Sequence, residues 1–119
     1  MIRDGERMDY GIYAPSPTEK LYEFASVIQG RRFLDLGSGR GEIVECALEM
    51  GADSYGVEIN LDLYNESKCR DRIILGSMFD IELSNYDVLY YYLGGCKKEA
   101  ELFEKIGKTF RGNTILYSG

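Results

Sequence analysis

Apolar positions along the chain switch between a helical and an extended period. No sustained period runs through residues 1–15, which read as an irregular arm. A helix is predicted from Pro17 to Gln29. Ser16 is placed to N-cap it, Pro17 takes the first helical position and Glu19 completes a capping box. Leu21, Phe24, Ala25 and Ile28 supply its apolar face, and Gly30 stops it. The short apolar run "RFLDL" predicts a strand that ends at a glycine-rich loop. "EIVECALEM" predicts a helix, with Ile43, Val44, Ala47 and Leu48 on one face and Glu42, Glu45 and Glu49 on another; Gly51 is its C′ residue.

"SYGVEI" predicts a second strand, "LDLYNESKCR" a weaker helix capped by Asn60, and "RIIL" a third strand ended by Gly76. "MFDIELSN" reads mostly as loop. "YDVLYYYL" predicts a fourth strand and "KKEAELFEKIGKTF" a helix whose apolar face is Ala100, Phe103, Ile106 and Phe110. After the turn "RGN", "TILYS" predicts a fifth strand. Strands alternating with helices imply an α/β, three-layer sandwich with a mainly parallel sheet of about five strands. The expected order is 3-2-1-4-5, with any ligand at the carboxyl ends of strands one and four, where the order reverses.

Composition narrows the chemistry. The 119 residues fit a single domain, 1–119, and the net charge is −6. Gripping DNA or RNA rests largely on Lys and Arg, so an acidic chain without a basic run argues against a nucleic-acid partner and is compatible with a basic protein. There is no histidine, which removes histidine bases and histidine metal ligands; no metal site is expected. The three cysteines, Cys46, Cys69 and Cys96, show no paired spacing, which fits a reducing, cytoplasmic setting. No apolar run approaches the length of a membrane span.

The candidate chemistry centres on "FLDLGSGRGEIV". Gly37, Gly39 and Gly41 follow a G-x-G-x-G pattern, whereas a dinucleotide loop wants glycine where Glu42 stands. A pyrophosphate here would meet Asp35 and Glu42 at short range. A ligand with an ammonium group reverses that argument, because Asp35 would hold the cation while the glycines admit close backbone approach. Glu58 closes the second strand 17 residues after Gly41, where an acid suits ribose hydroxyls. An amino acid joined to a nucleoside meets all these conditions.

"FLDLGSGRG" and "GVEIN" closely resemble motif I and the acidic second-strand end of class I S-adenosylmethionine-dependent methyltransferases. The resemblance implies that the loop from Asp35 through Gly37, Ser38, Gly39 and Gly41 holds the methionine part of S-adenosylmethionine. It assigns Glu58 to the ribose and Ile59 to the adenine face. In "GSMFD", Ser77 stands where the family usually has Asp or Asn reaching the adenine amino group, so the Met78 backbone or Asp80 would take over that contact. "YAPSPTEK" is similar to the arm of small archaeal lysine methyltransferases that lack a SET domain. That would bring Tyr13 to the methionine carboxylate; a capped helix start with Tyr13 in the core accounts for the same residues.

The fourth strand lacks the Asn/Asp-Pro-Pro-Tyr motif of amino-methylating nucleic-acid enzymes, which counts against a nucleobase substrate; the resemblance to the lysine methyltransferases implies a protein amine, a lysine side chain, as the acceptor. In "YYYLGG", Tyr90 and Tyr92 share one strand face and Tyr91 takes the other. Tyr92, at the carboxyl end, is the candidate for lining the methyl-transfer site, with Tyr90 and Tyr91 read as packing residues. The usual C-terminal antiparallel strand pair is absent, so strand five would be an edge covered by a second copy or a partner. Two other classes compete: a non-catalytic S-adenosylmethionine-binding scaffold and a nicotinamide-dependent oxidoreductase. Glu42 in place of the third glycine discriminates against the latter.

Overall fold

The computed structural model describes residues 18–93 and 97–117 in full, and the backbone of residues 6–8 and 11–13. Strands β1 (Glu6–Met8) and β2 (Gly11–Tyr13) pair antiparallel, with Glu6 opposite Tyr13. The arm is therefore not wholly irregular: an antiparallel pair of three-residue strands forms there without a sustained alternating pattern to announce it. A 3-10 segment, Thr18–Phe24, leads into the short helix α1 (Ala25–Ile28), so the predicted single helix is mostly 3-10 in its first part. The Ser16–Pro17 cap lies outside the described residues.

The rest alternates strand and helix. In order come β3 (Arg32–Leu36), α2 (Glu42–Glu49), β4 (Asp53–Glu58), α3 (Leu61–Glu66), β5 (Ile73–Leu75), β6 (Val88–Tyr92), α4 (Glu99–Thr109) and β7 (Asn113–Tyr117). Beyond α3, "SKCR" leaves the predicted helix and reaches β5 through a 3-10 turn at Arg70–Arg72. Further 3-10 turns at Met78–Asp80 and Leu83–Asn85 occupy the segment read as loop. The sheet order is β5-β4-β3-β6-β7 and every pairing is parallel, which is the expected 3-2-1-4-5 order. Gly30 and Gly51 take left-handed φ values of +73° and +93° where the sequence ends α1 and α2.

Both faces of the sheet are covered, which is why β6 reads as an unbroken apolar run and β3 as one interrupted by Asp35. On one face Phe33, Tyr90 and Ile115 pack with Leu21, Ile28, Ile43 and Ala47. On the other, Leu34, Leu36, Leu89 and Tyr91 pack with Leu83, Leu102 and Phe110. Helix α4 keeps Ile106 and Phe110 of its predicted face against the core, but its first turns are rotated from that face. Leu102 is fully buried, whereas Ala100 and Phe103 are exposed. The inward stripe also carries Lys105, whose polar end hides the pattern in sequence. Among the described residues β5 and β7 are the sheet edges, and Leu116 on β7 is about half exposed. No described helix is long and apolar enough to cross a membrane.

Candidate functional site

The order reverses between β3 and β6, and the loop after β3 lies at that switch point. Its three glycines, Gly37, Gly39 and Gly41, have φ values of +79°, +58° and +84°. Side-chain-bearing residues pay a penalty there, so the spacing encodes backbone shape. The loop is stitched onto the end of β4. The amides of Gly37 and Ser38 both donate to the Val57 carbonyl at 2.9 Å. The Gly39 amide donates to Glu58 Oε1 at 2.7 Å. Three successive donors that a pyrophosphate would need are thus already used within the protein.

Gly41 opens α2 in the left-handed region. A Cβ there would stand 2.7 Å from Ser67 Oγ and 2.9 Å from Cys69 Sγ. Gly30 has a similar φ and nothing within 4 Å of the same position. Gly41→Ala is therefore expected to destabilise by about 2–4 kcal/mol, against about 1 kcal/mol for Gly30→Ala. Denaturant titration of the two variants checks this: equal shifts in midpoint would contradict the packing argument.

Two buried carboxylates define the electrostatics. Glu58 is 6 % exposed and spans two elements, since its Oε2 accepts from the Asn60 amide at 2.9 Å. Asn60 in turn caps α3, its side chain accepting from the Leu63 amide at 3.0 Å. Each Glu58 oxygen retains a second lone pair for an incoming hydroxyl donor. Asp35 is 4 % exposed and sits on β3 between Gly56 and Tyr90 of the neighbouring strands. Among the described residues no donor pairs with its carboxylate. Burial first, then the charges of Glu58 and Glu42, hold its pKa well above the usual carboxylate value. Arg40 does not relieve it, because its guanidinium is paired with Glu66 on α3. The arrangement suits a cationic ligand group and disfavours an anion.

The remaining predicted residues divide by position. Ile59 follows β4 and is 40 % exposed, an apolar surface beside Glu58. Ser77 caps the Met78–Asp80 turn, its Oγ accepting from the Phe79 amide at 3.1 Å. The Met78 Cε lies 3.6 Å from where a Cβ on Gly37 would be, which brings that turn against the glycine loop. Among the described residues the buried Ser38 hydroxyl has no hydrogen-bond partner, and it lies close over Gly56 rather than out in the loop. Tyr13 is placed in β2 by its backbone, and its side chain lies outside the described residues.

Tyr90 and Tyr91 are buried, and the Tyr91 hydroxyl donates to Glu99 at 2.7 Å. Tyr92 is half-buried, its ring packed edge-on against Tyr117 at 5.4 Å between centroids. Cys96 lies outside the described residues. No group of metal-ligating side chains forms among the described residues. Sequence reasoning missed Lys105, whose ammonium donates to the carbonyls of Phe79 and Ile81 at 2.6 and 2.7 Å. Its position between Leu102 and Ile106 on the inner stripe of α4 was the available signal.

The same fold occurs in solved methyltransferase structures. An RNA methyltransferase from Salinibacter ruber, in complex with S-adenosyl-L-homocysteine, superposes with a TM-score of 0.67 at 24 % identity, over 87 % of this chain and 72 % of that one. A candidate methyltransferase from an antibiotic biosynthesis pathway of Anabaena variabilis gives 0.70 at 16 % identity, over 85 % of this chain and 44 % of the other. An S-adenosylmethionine-dependent methyltransferase from Mesorhizobium loti gives 0.60 at 22 % identity, over 76 % and 46 %. The chain spans less than half the length of the last two. No family model and no curated protein matches the sequence. The chain thus has the Rossmann-like fold of S-adenosylmethionine-dependent methyltransferases.

Proposed function

We propose that the chain binds S-adenosylmethionine between the glycine loop, the end of β4 and the Met78–Asp80 turn, and methylates a protein amine, a lysine side chain. The observation that carries this reading is the pair of buried carboxylates, Asp35 without a donor and Glu58 clamping the loop. Asp35 meets the ligand ammonium. Gly37, Ser38, Gly39 and Gly41 shape the loop around the methionine part, with Tyr13 toward its carboxylate. Glu58 accepts from the ribose hydroxyls, Ile59 covers an adenine face, and Ser77 and Met78 present the turn to the adenine edge.

When bound, the cofactor supplies a methyl group on a sulfonium, so the leaving group is already activated. The chain's task is then alignment and exclusion of water. A lysine acceptor must shed its proton, and a desolvated aromatic wall lowers the pKa of an ammonium. The Tyr92–Tyr117 pair at the carboxyl ends of β6 and β7 supports such a wall. The acidic net charge of −6 supports a polypeptide over an RNA acceptor, although the structural neighbours include RNA methyltransferases.

Incubation of the purified chain with methyl-labelled cofactor and a host lysate tests this. The expected label is removed by protease and resists ribonuclease. Label lost with ribonuclease would refute the protein acceptor. Cofactor binding with no transfer to any fraction would leave a binding module without catalysis.

A further inference from the structure

We propose that Lys105 is a positioning residue that fixes the orientation of the Met78–Asp80 turn for adenine recognition, an inference that rests on the cofactor reading above. An ammonium has three donors and no acceptor. Among the described residues its partners all belong to that turn and the residue that ends it: the carbonyls of Phe79 at 2.6 Å, Ile81 at 2.7 Å and Met78 at 3.4 Å. These bonds cross from α4 to the segment after β5, about 25 residues earlier in the chain. Burial lowers the Lys105 pKa, while Asp80 and Glu82 act to keep it charged. The side chain has therefore given up water for these carbonyls, which are the carbonyl end of a 3-10 turn, where a cation is favourable.

The same turn is held at its amide end by Ser77, which accepts from the Phe79 amide. Ser77 and Lys105 thus clamp it from opposite ends. The clamp bears on the ligand because Met78 reaches the glycine loop at Gly37. It also bears on specificity. Ser77 is short and its oxygen is engaged as a cap, so reading of the adenine edge falls to the rest of the turn, the Met78 backbone or Asp80. Backbone donors discriminate only if the peptide planes are held still, and Lys105 holds them.

The test compares wild type with Lys105→Met, Lys105→Gln and Lys105→Arg in the full chain. Each is titrated calorimetrically with S-adenosylhomocysteine and with its inosine counterpart, which carries a 6-oxo group in place of the amine. Lys105→Met is expected to lose about tenfold in affinity for S-adenosylhomocysteine. Its preference over the inosine counterpart should shrink, and Lys105→Arg should recover part of that preference. A purely structural lysine would lower the melting temperature and leave the preference intact, which would overturn the proposal. If Lys105→Met does not fold, Lys105→Gln, which keeps one donor, decides by the same ratio. Wild type binding neither ligand would overturn the cofactor reading and this inference together; binding with an unchanged ratio in every variant would overturn the inference alone.

Discussion

Asp35→Asn is expected to melt at a higher temperature than wild type and to lose its cofactor affinity. The two effects share one cause. Burial and the neighbouring Glu58 and Glu42 raise the Asp35 pKa in the folded state. The folded chain therefore binds this proton more tightly than the unfolded chain, whose aspartate titrates near 3.9. Stability from this group is complete below the unfolded value and is lost as pH rises through the folded value. As pH rises the ionised, unpaired carboxylate works against the fold, and the amide removes that charge. Relief of about 1 kcal/mol would raise the melting temperature by roughly 4 °C. Thermal melts should show the gain near pH 8 and little difference near pH 3.

Binding should move the other way. A cationic ligand group needs the ionised carboxylate, so wild-type affinity should fall as pH drops through the raised Asp35 value, with proton uptake by the free site. Asp35→Asn should bind on the order of 100-fold more weakly, the loss expected for one charge-assisted contact in a desolvated site. Its residual affinity should show no such pH dependence. A variant that is more stable and binds normally would refute the role of Asp35.

Glu58→Ala is expected to fail in both respects. Glu58 accepts from the Gly39 and Asn60 amides, tying the glycine loop to the start of α3. Truncation leaves one buried and one part-buried amide without their acceptor, a loss of about 2–4 kcal/mol and roughly 10 °C in melting temperature. Cofactor affinity should fall at least 100-fold, since the hydroxyl acceptors and the loop anchor go together. The opposite stability signs of Asp35→Asn and Glu58→Ala, with binding lost in both, separate the ligand-facing carboxylate from the one that also builds the loop. Calorimetry and differential scanning on the same samples read both quantities.

The parts legible in the sequence are those where one local rule acts alone. The apolar run of β3, the three loop glycines, Gly51 after α2 and the Asn60 cap each follow from backbone geometry or a single hydrogen bond. The strand order followed from alternation and crossover handedness. The rest depends on partners distant in sequence. On α4 the stripe through Phe103 and the stripe through Leu102 both satisfy a helical period. Lys105 makes the buried one look polar until its three carbonyl partners are known. Likewise the paired amides of Gly37, Ser38 and Gly39, which rule out a phosphate cradle, involve acceptors on β4 that the glycine spacing does not reveal. The antiparallel pairing of β1 and β2 is another tertiary fact, resting on strands too short to show a period.

The central claim is that the loop and its carboxylates hold S-adenosylmethionine. Calorimetric titration of the purified, folded chain with S-adenosylhomocysteine tests it most directly. The account predicts stoichiometric binding at neutral pH that weakens on acidification and falls on the order of 100-fold in Asp35→Asn. A folded chain that takes up no S-adenosylhomocysteine, or binds it equally well at low pH, would contradict it.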